Sequence, residues 1–355
     1  MNQIIINGRA YTPSQLAGAP CTDADRAVFD FARQWFSDAD SVSVRTSGST
    51  GRPKPMQVSK ARMTASALGT CRFLGLGPGT TALLCMPVDF IAGKMMVVRA
   101  IVGGLNLLTV RPSTHPLAGL AEAPFFVAMT PMQVRSTLEC PDERRLLSGV
   151  SRLIIGGGPV APDLELQLRA MPGGVWSTYG MTETLSHVAM RRISGTEASE
   201  WYTPLPGVAI SLTHSGQLVI DAPHLCPEPL TTTDMAVTDG CGRFRVTGRA
   251  DNVINTGGIK VQAEEAEACL AATLHAPFCI TSRPDAVFGQ AVVLIADPSI
   301  AEADLRAAID RLPRYHRPKA IVRAAVPLTA TGKTDRCAAR QLALDQTQQS
   351  TSDNR

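Results

Sequence analysis

The sequence has no marked excess of either charge and no long run of like charges. Its 355 residues carry a formal net charge of +3, with 34 Lys and Arg against 31 Asp and Glu. Binding to nucleic acid or to an acidic membrane surface is usually accompanied by basic clusters or a strongly basic balance. The charge pattern therefore predicts neither a nucleic-acid partner nor a membrane-surface partner.

Paired cysteine motifs and long apolar segments are missing as well. The nine cysteines are scattered, odd in number and include no CxxC pair, which favours reduced and mostly buried thiols. The sequence lacks an apolar stretch of ~18 residues, the length that a membrane-spanning helix needs. Its first residues lack the basic and apolar regions of a signal peptide. These observations predict a cytoplasmic protein without membrane insertion.

Short apolar runs alternate with helical segments through the first part of the chain. Strands are predicted at 81–86, 125–129 and 153–155, and helices at 91–102 and 162–170. This alternation is typical of α/β layering around a largely parallel sheet. The sequence therefore predicts an α/β fold for this region.

The chain length indicates two domains. Strands and turns follow at 208–247, and a compact α+β unit begins after residue 249, with helices at 263–272 and 301–312. The last ten residues are polar, which is typical of disorder. The predicted division is an α/β domain over 1–250, a small α+β domain over 251–345 and a disordered tail over 346–355.

A segment rich in glycine and hydroxyl residues, TSGSTGRPK over 46–54, follows a predicted strand at 41–45. Small residues let backbone N–H groups converge on an anion, while the hydroxyls and Lys54 add donors and a charge. The spacing differs from that of the common P-loop, and a flexible linker is the alternative. The order of threonine, glycine and lysine directly after a strand favours a phosphate-binding loop.

Three later segments carry residue types suited to nucleotide chemistry. Glu183 lies in STYGMTET and is a candidate ligand for Mg²⁺, which takes few protein oxygens together with substrate phosphates. Asp234 can accept both hydroxyls of a ribose, and Arg249 can pair with a ribose or a phosphate. Lys333 lies in a glycine-containing segment, PLTATGKTDR. Taken singly, a surface glutamate, two β-turns and a solvent-facing lysine explain these residues better.

Together and in this order, the four segments resemble the adenylate-forming superfamily of acyl-CoA synthetases, peptide-synthetase adenylation domains and luciferases. The resemblance runs from residue 46 to residue 340. It implies a layered α/β N-terminal adenylate-forming domain, followed by a small mobile α+β C-terminal domain. Because 45 residues precede the loop, the N-terminal domain is expected to be truncated at its N-terminus. The resemblance also implies ATP, Mg²⁺, CoA and a small-molecule carboxylic acid as ligands.

The resemblance assigns most of these residues to the nucleotide. The loop that holds the β- and γ-phosphates of ATP corresponds to Thr46, Ser47, Gly48, Ser49, Thr50, Gly51 and Lys54. Gly157 and Gly158 lie against adenine together with Tyr179. Thr182 contacts the α-phosphate, and Glu183 helps to hold Mg²⁺.

The remaining roles concern the ribose, the second domain and CoA. Asp234 takes the ribose hydroxyls, although the usual Thr-Gly-Asp reads Thr-Thr-Asp here. Arg249 faces the nucleotide, and Asp251 is the hinge between the domains. Gly257 and Gly258 line the pantetheine tunnel. Lys333 bridges the carboxylate and the α-phosphate, where its ammonium offsets the repulsion between two anions.

Within the superfamily, YGMTETLSH over 179–187 and IAGKMM over 91–96 are most similar to o-succinylbenzoate–CoA ligases of menaquinone biosynthesis. Such a substrate has a second carboxylate that must be recognised. Ser186 and His187 are candidate hydrogen-bond donors for it, and the candidate cations are Lys94, Arg99 and Arg135. The alternatives are a packed, satisfied histidine and a lysine that extends to solvent.

The implied reaction is an ATP-dependent ligation through o-succinylbenzoyl-AMP to o-succinylbenzoyl-CoA. One alternative is an acyl- or aryl-CoA ligase for another acid, and a second is an adenylation enzyme that loads a separate carrier protein. A third is a degenerate nucleotide-binding protein, which the presence of Glu183 and Lys333 disfavours. The sequence is also compatible with assembly into a homo-oligomer.

Overall fold

The computed structural model describes residues 3–19, 25–45, 55–329 and 334–352. Within these ranges no helix combines the length and the apolar character that crossing a membrane requires. The chain forms two compact units. The first comprises Met1–Ile210, Ile220–Leu230 and Asp239–Phe244, and the second comprises Ser211–Val219, Thr231–Thr238 and Arg245–Arg355. The domain boundary at residue 250 stays a prediction.

Helices are present at four positions predicted from the sequence, 91–102, 162–170, 263–272 and 301–312, and six more occur in the described residues. The helices are α1 Pro13–Leu16, α2 Arg26–Phe36, α3 Lys60–Leu74, α4 Ile91–Gly103, α5 Pro131–Glu139, α6 Pro141–Gly149, α7 Pro162–Arg169, α8 Ala263–Leu270, α9 Glu302–Asp310 and α10 Arg336–Ser352. Proline occupies the first turn of α5, α6 and α7, where its missing N–H leaves no hydrogen bond unmade.

The strands are short and mostly buried. They are β1 Ile4–Ile6, β2 Arg9–Tyr11, β3 Ser41–Arg45, β4 Pro55–Ser59, β5 Thr81–Leu84, β6 Asn106–Thr109, β7 Phe126–Met129, β8 Arg152–Ile155, β9 Gly174–Gly180, β10 His187–Arg192, β11 Thr203–Pro204, β12 Ala209–Leu212, β13 Gln217–Asp221, β14 Leu230–Thr238, β15 Phe244–Arg249, β16 Val253–Thr256, β17 Ile259–Gln262, β18 Phe278–Asp285, β19 Gly289–Ala296 and β20 Ala320–Arg323.

The main sheet of the first unit has the order β11-β10-β9-β8-β7-β5-β6-β1-β2. Strands β1, β6, β5, β7, β8 and β9 run parallel to their neighbours, and β2, β10 and β11 are antiparallel additions at the two ends. The predicted α/β fold with a largely parallel sheet is confirmed.

Helices cover both faces of this sheet, because its central strands are apolar on both sides. Ala82 and Leu84 of β5 pack into one core with α2, α3 and α4. Leu83, between them, packs into a second core with α5, α6 and α7. Successive side chains of a strand point to opposite faces. The continuous apolar run of β5 therefore serves two helical layers.

Strands β3 and β4 form an antiparallel hairpin in which Arg45 pairs with Pro55. The predicted strand before the phosphate loop is confirmed, whereas β4 was not predicted. Residues 46–54, which include Thr46, Ser47, Gly48, Ser49, Thr50, Gly51 and Lys54, lie outside the described residues. Arg45 and Pro55 are the described residues on either side of it.

The second unit is an α+β structure. Its larger sheet has the order β17-β16-β19-β18, with β20 parallel to β19. Helices α8 and α9 pack on one apolar face of this sheet, and α10 packs on the other. Strands β12-β13-β14-β15 form a four-stranded sheet. Helix α10 extends to Ser352, so that the tail predicted as disordered over 346–355 is helical over 346–352. The polar composition suggested disorder, but three of the residues over 346–352 are glutamine, which is a good helix former.

Candidate active site

Loops that carry predicted nucleotide residues follow two adjacent strands of the first unit. Gly157 and Gly158 come directly after β8, and the segment 181–186 comes directly after β9. Strands β8 and β9 are parallel, so both loops emerge at the same edge of the sheet. Ligands of open α/β sheets bind at this carboxyl edge.

Tyr179, near the end of β9, belongs to a cluster of three aromatic rings. Its ring meets those of Tyr202 and Phe244 edge to face, with centroid distances of 5.9 and 5.2 Å. The Tyr202 hydroxyl lies 2.8 Å from Ser177 Oγ, and the Arg191 guanidinium lies over the Tyr202 ring. Packing therefore fixes the orientation of the half-buried Tyr179 ring beside the predicted adenine position.

Thr182 and Glu183 lie in the loop after β9 with opposite exposure. Thr182 is buried, whereas the Glu183 side chain is exposed, and the Glu183 carbonyl accepts a hydrogen bond from Cys226 Sγ. The described residues contain no group of three His, Cys, Asp or Glu side chains placed to hold a metal ion. A lone exposed carboxylate fits Mg²⁺, which takes its other ligands from phosphates and water.

Ser186 and His187 form a buried hydrogen-bond chain with residues from α3 and α4. Arg99 Nη2 donates to Ser186 Oγ at 2.5 Å, and Ser186 Oγ lies 3.3 Å from His187 Nδ1. His187 Nε2 lies 3.0 Å from Thr70 Oγ1, which donates to the Ser66 carbonyl. Since arginine can only donate, the directions are consistent when Ser186 donates to Nδ1 and Nε2–H donates to Thr70. This arrangement requires a neutral His187.

Arg99 is a buried cation with no carboxylate partner among the described residues. Its residue exposure is 3%, and its Nε has no hydrogen-bond acceptor in the described part of the chain. Burial lowers the pKa of Arg99 to about 10, against a smaller opposing effect of Cys71. The group is therefore charged at neutral pH, and it retains donor capacity for an anion.

Burial, followed by the nearby charge of Arg99, lowers the pKa of His187 well below its ordinary value of 6.5. The unfolded chain takes up a proton at this residue below about pH 6.5, whereas the folded protein does not. The associated stability is present above that pH and is lost as the pH falls. In the wild type, this residue is expected to lower the free energy of unfolding by up to about 1.4 kcal/mol for each pH unit below that value. We expect His187→Gln to abolish this decrease, as measured by urea unfolding at pH values of about 5 to 8.

The matched control is His214→Gln, which changes an exposed histidine between β12 and β13. Wild type and this control are expected to share the same pH dependence of the unfolding free energy. An identical dependence in wild type and His187→Gln would contradict a neutral buried imidazole.

The other two predicted cations have different surroundings. Lys94 Nζ lies over the ring of Phe31 at 4.7 Å from its centroid. Arg99 lies five positions further along the chain, which places the two side chains about 140° apart around α4. Arg135 is paired with Asp163 through two bonds of 2.8 and 3.1 Å at an exposed position. Arg99 is therefore the predicted cation that the structure places with Ser186 and His187.

The second unit brings together three of the predicted residues. Arg249 donates two hydrogen bonds to the Asp251 carboxylate, at 3.0 and 2.9 Å, and its Nη1 lies 3.6 Å from Asp234 Oδ1. The hydrogen bonds with Arg249 lower the pKa of Asp251 below its ordinary range. Asp251 lies in a single 3-10 turn, Ala250–Asn252, between β15 and β16. The predicted ribose, nucleotide and hinge residues thus share one charged cluster.

Gly257 and Gly258 are the two turn residues of the β16–β17 hairpin, with φ angles of +59° and +81°. A two-residue hairpin loop with both residues at positive φ is a type I′ turn, for which glycine is favoured. Their predicted contact with pantetheine stays a prediction. Lys333 lies outside the described residues. In the sequence it falls between Leu328 and Thr334, which form an isolated antiparallel β-bridge.

Thr70 of α3 belongs to this site but was not predicted from the sequence. It is separated from its partner His187 by 117 residues, and no local pattern marks it. Tyr202 and Phe244, which orient Tyr179, were not predicted either. Aromatic residues are infrequent in this chain, at 5%, and this scarcity was the one available signal.

Comparisons with known proteins show the family of the chain. The AMP-binding enzyme family matches residues 41–227. A probable 2-succinylbenzoate–CoA ligase of Mycobacterium tuberculosis is 30% identical over 258 residues, covering 66% of this chain and 64% of the relative. This chain thus spans less than two thirds of that relative. A 2-succinylbenzoate–CoA ligase of Enterococcus faecalis is 28% identical over 335 residues, covering 84% of this chain and 69% of the relative.

Solved structures give the same result for the fold. An acyl-CoA synthetase (AMP-forming)/AMP-acid ligase II-like protein from Dyadobacter fermentans has a TM-score of 0.64 and 36% identity to this chain. The similarity covers 92% of this chain and 97% of that protein. The likeness therefore includes both units of the chain.

Proposed function

The chain belongs to the AMP-binding enzyme family, and we propose that it is an ATP-dependent carboxylate–CoA ligase for o-succinylbenzoate. In the first step a carboxylate oxygen attacks the α-phosphorus of ATP, forming o-succinylbenzoyl-AMP and releasing pyrophosphate. In the second step the thiol of CoA attacks the acyl carbon, forming the thioester and releasing AMP. The substrate belongs to this proposal because two relatives named as 2-succinylbenzoate–CoA ligases are similar to this chain.

The proposed acid rests on one observation. Arg99 is buried beside Ser186 and His187 and has no carboxylate partner among the described residues. A buried cation is costly unless an anion pairs with it. A second carboxylate on the acid supplies that anion, and the guanidinium can bind it through two parallel hydrogen bonds. A simple benzoate or a short fatty acid offers no such group. Arg99 therefore supports a dicarboxylic substrate over a monocarboxylic one.

The residues of the β9–β10 region support the nucleotide half of the proposal. Glu183 would supply a carboxylate for Mg²⁺, and the bound ion would neutralise phosphate charge. Tyr179 is proposed to lie against adenine, and Thr182 to contact the α-phosphate. Lys333 is proposed to pair with the reacting carboxylate, and Asp251 to act as the hinge between the domains 1–250 and 251–345.

The proposal is tested by supplying the purified protein with ATP, Mg²⁺, CoA and a panel of acids that includes o-succinylbenzoate, benzoate and a short fatty acid. We expect pyrophosphate release and thioester formation to be fastest with o-succinylbenzoate. Equal or better turnover of another acid would end the substrate assignment and leave an acyl- or aryl-CoA ligase. Adenylate formation without transfer to CoA would indicate a carrier protein as the acceptor.

A further inference from the structure

The loop between β9 and β10 is closed by the hydroxyl of one fully buried residue, Thr184. Its Oγ1 accepts a hydrogen bond from the Met181 backbone N–H at 3.0 Å and lies 2.7 Å from the Ser186 carbonyl. The Leu185 N–H donates to the Thr182 carbonyl at 2.9 Å. A single hydroxyl thus links the first and last residues of the loop.

Leu185 adopts a left-handed backbone conformation, with φ of +66°. This region is uncommon for residues other than glycine, because a side chain strains the backbone there. The Leu185 side chain is 3% exposed, so its burial offsets part of that strain. The left-handed residue reverses the chain between Thr184 and Ser186, and Ser186 Oγ then meets Arg99 Nη2 at 2.5 Å.

The loop folds back tightly against the end of β9. A Cβ atom added at Gly180 would lie 2.3 Å from the Ser186 carbonyl oxygen and 2.5 Å from His187 Cα. Both atoms belong to the backbone and cannot move aside cheaply. The backbone of Ser186 is therefore held in one place by contacts on three sides: Gly180, Thr184 and the left-handed Leu185.

We infer that Thr184 and Leu185 are positioning residues that set both halves of the site at once. On one side they fix the backbone of Thr182 and Glu183, and on the other side they direct Ser186 toward Arg99. Neither residue contacts substrate in this inference. It rests on the proposed function for the ligands at each end, an acyl carboxylate at Arg99 and a nucleotide at Thr182.

The test compares Thr184→Val with Thr184→Ser. Valine keeps the shape and removes the hydroxyl, whereas serine keeps the hydroxyl and removes the methyl group. We expect Thr184→Val to lower kcat/KM for the acid about 10- to 100-fold and to raise the KM for ATP as well, because small misplacements of reacting groups are costly. Thr184→Ser is expected to stay within about threefold of wild type. Active enzyme is counted from the burst of pyrophosphate without CoA.

A purely structural role gives a different result. It would lower the fraction of active enzyme in Thr184→Val and leave the KM values of the active fraction unchanged, and that outcome overturns the inference. Leu185→Gly provides a second variant, since glycine adopts positive φ without strain but holds it less firmly. The inference expects a raised KM for the acid in this variant, and an unchanged KM would contradict it.

Crystal structures of the two Thr184 variants separate this inference from the proposed function. Complete inactivity of wild type on the acid panel would end the proposed function only. The inference would then be decided by the structures. It expects Thr184→Val to lose the left-handed Leu185 and the contact between Ser186 Oγ and Arg99, and Thr184→Ser to keep both. An unchanged loop in Thr184→Val would overturn it.

Discussion

Replacing Arg99 by methionine is expected to lower kcat/KM for o-succinylbenzoate about 100-fold and to stabilise the free protein. Losing a buried, charge-assisted contact to a substrate costs of the order of 3 kcal/mol, which is about two factors of ten in rate. In the free protein the same guanidinium is buried without a carboxylate partner among the described residues. Taking an ion out of water costs several kcal/mol, and replacing buried ion pairs by apolar side chains of similar volume is neutral or stabilising by about 1–4 kcal/mol. A buried guanidinium without an anion beside it carries this cost with less to offset it.

A variant that merely disrupts the fold would lose both activity and stability, whereas Arg99→Met is expected to lose activity and gain stability. Steady-state kinetics on the acid panel give the change in kcat/KM, and thermal unfolding gives the change in stability. Arg135→Met is the matched control, because Arg135 is exposed and paired with Asp163. It should leave the kinetics close to wild type. A loss of activity for benzoate as large as that for the dicarboxylic acid would show that Arg99 does not recognise the second carboxylate.

Lys333→Ala is expected to reduce adenylate formation by about 10²–10³ or more, while thioester formation from supplied acyl-adenylate persists. The lysine is proposed to offset the charge that develops when a carboxylate attacks a phosphate, and removing one such group commonly has an effect of this size. The second step joins a thiol to an acyl group that is already activated. It therefore has no need of the same ammonium group.

The two half-reactions are measured separately, the first by pyrophosphate exchange and the second by CoA thioester formation from purified o-succinylbenzoyl-AMP. Arg306→Ala removes another cation from the second unit, an exposed side chain of α9 paired with Glu302. Both rates should be unchanged in this control. Equal loss of the two half-reactions in Lys333→Ala would contradict the proposed domain movement about Asp251.

The layering of the first unit was predictable because its signals are local. Strands β5, β7 and β8 each contain an unbroken apolar run of three or four residues. The helices α5 and α7, which follow β7 and β8, begin at Pro131 and Pro162, and proline favours a helix start. Helix α6 was not predicted, although Pro141 gives the same start signal, because α6 follows α5 with only Cys140 between them. The β1–β2 hairpin was also missed, because three-residue strands are too short for a periodic pattern.

The site was predictable to a different extent in its two halves. The nucleotide residues form ordered motifs, so that Tyr179, Thr182 and Glu183 could be named from their neighbours in the chain. For the acyl half, the sequence left three candidate cations for binding the second carboxylate. Arg99 was selected among them by a contact with Ser186, which lies 87 residues away. A helix pattern shows that Arg99 lies on α4 but gives no information on which element faces it.

The sequence by itself determined the α/β layering, the order of the nucleotide motifs and the residue types available for adenylation, since each of these depends on neighbouring residues. Only the tertiary structure decided which side chains meet at the acyl end. The chain from Arg99 through Ser186 and His187 to Thr70 joins three elements that are distant in sequence. Burial then leaves Arg99 charged without a carboxylate among the described residues, and it leaves His187 neutral. The cost of desolvation depends on the surrounding fold, and therefore no local motif could specify it.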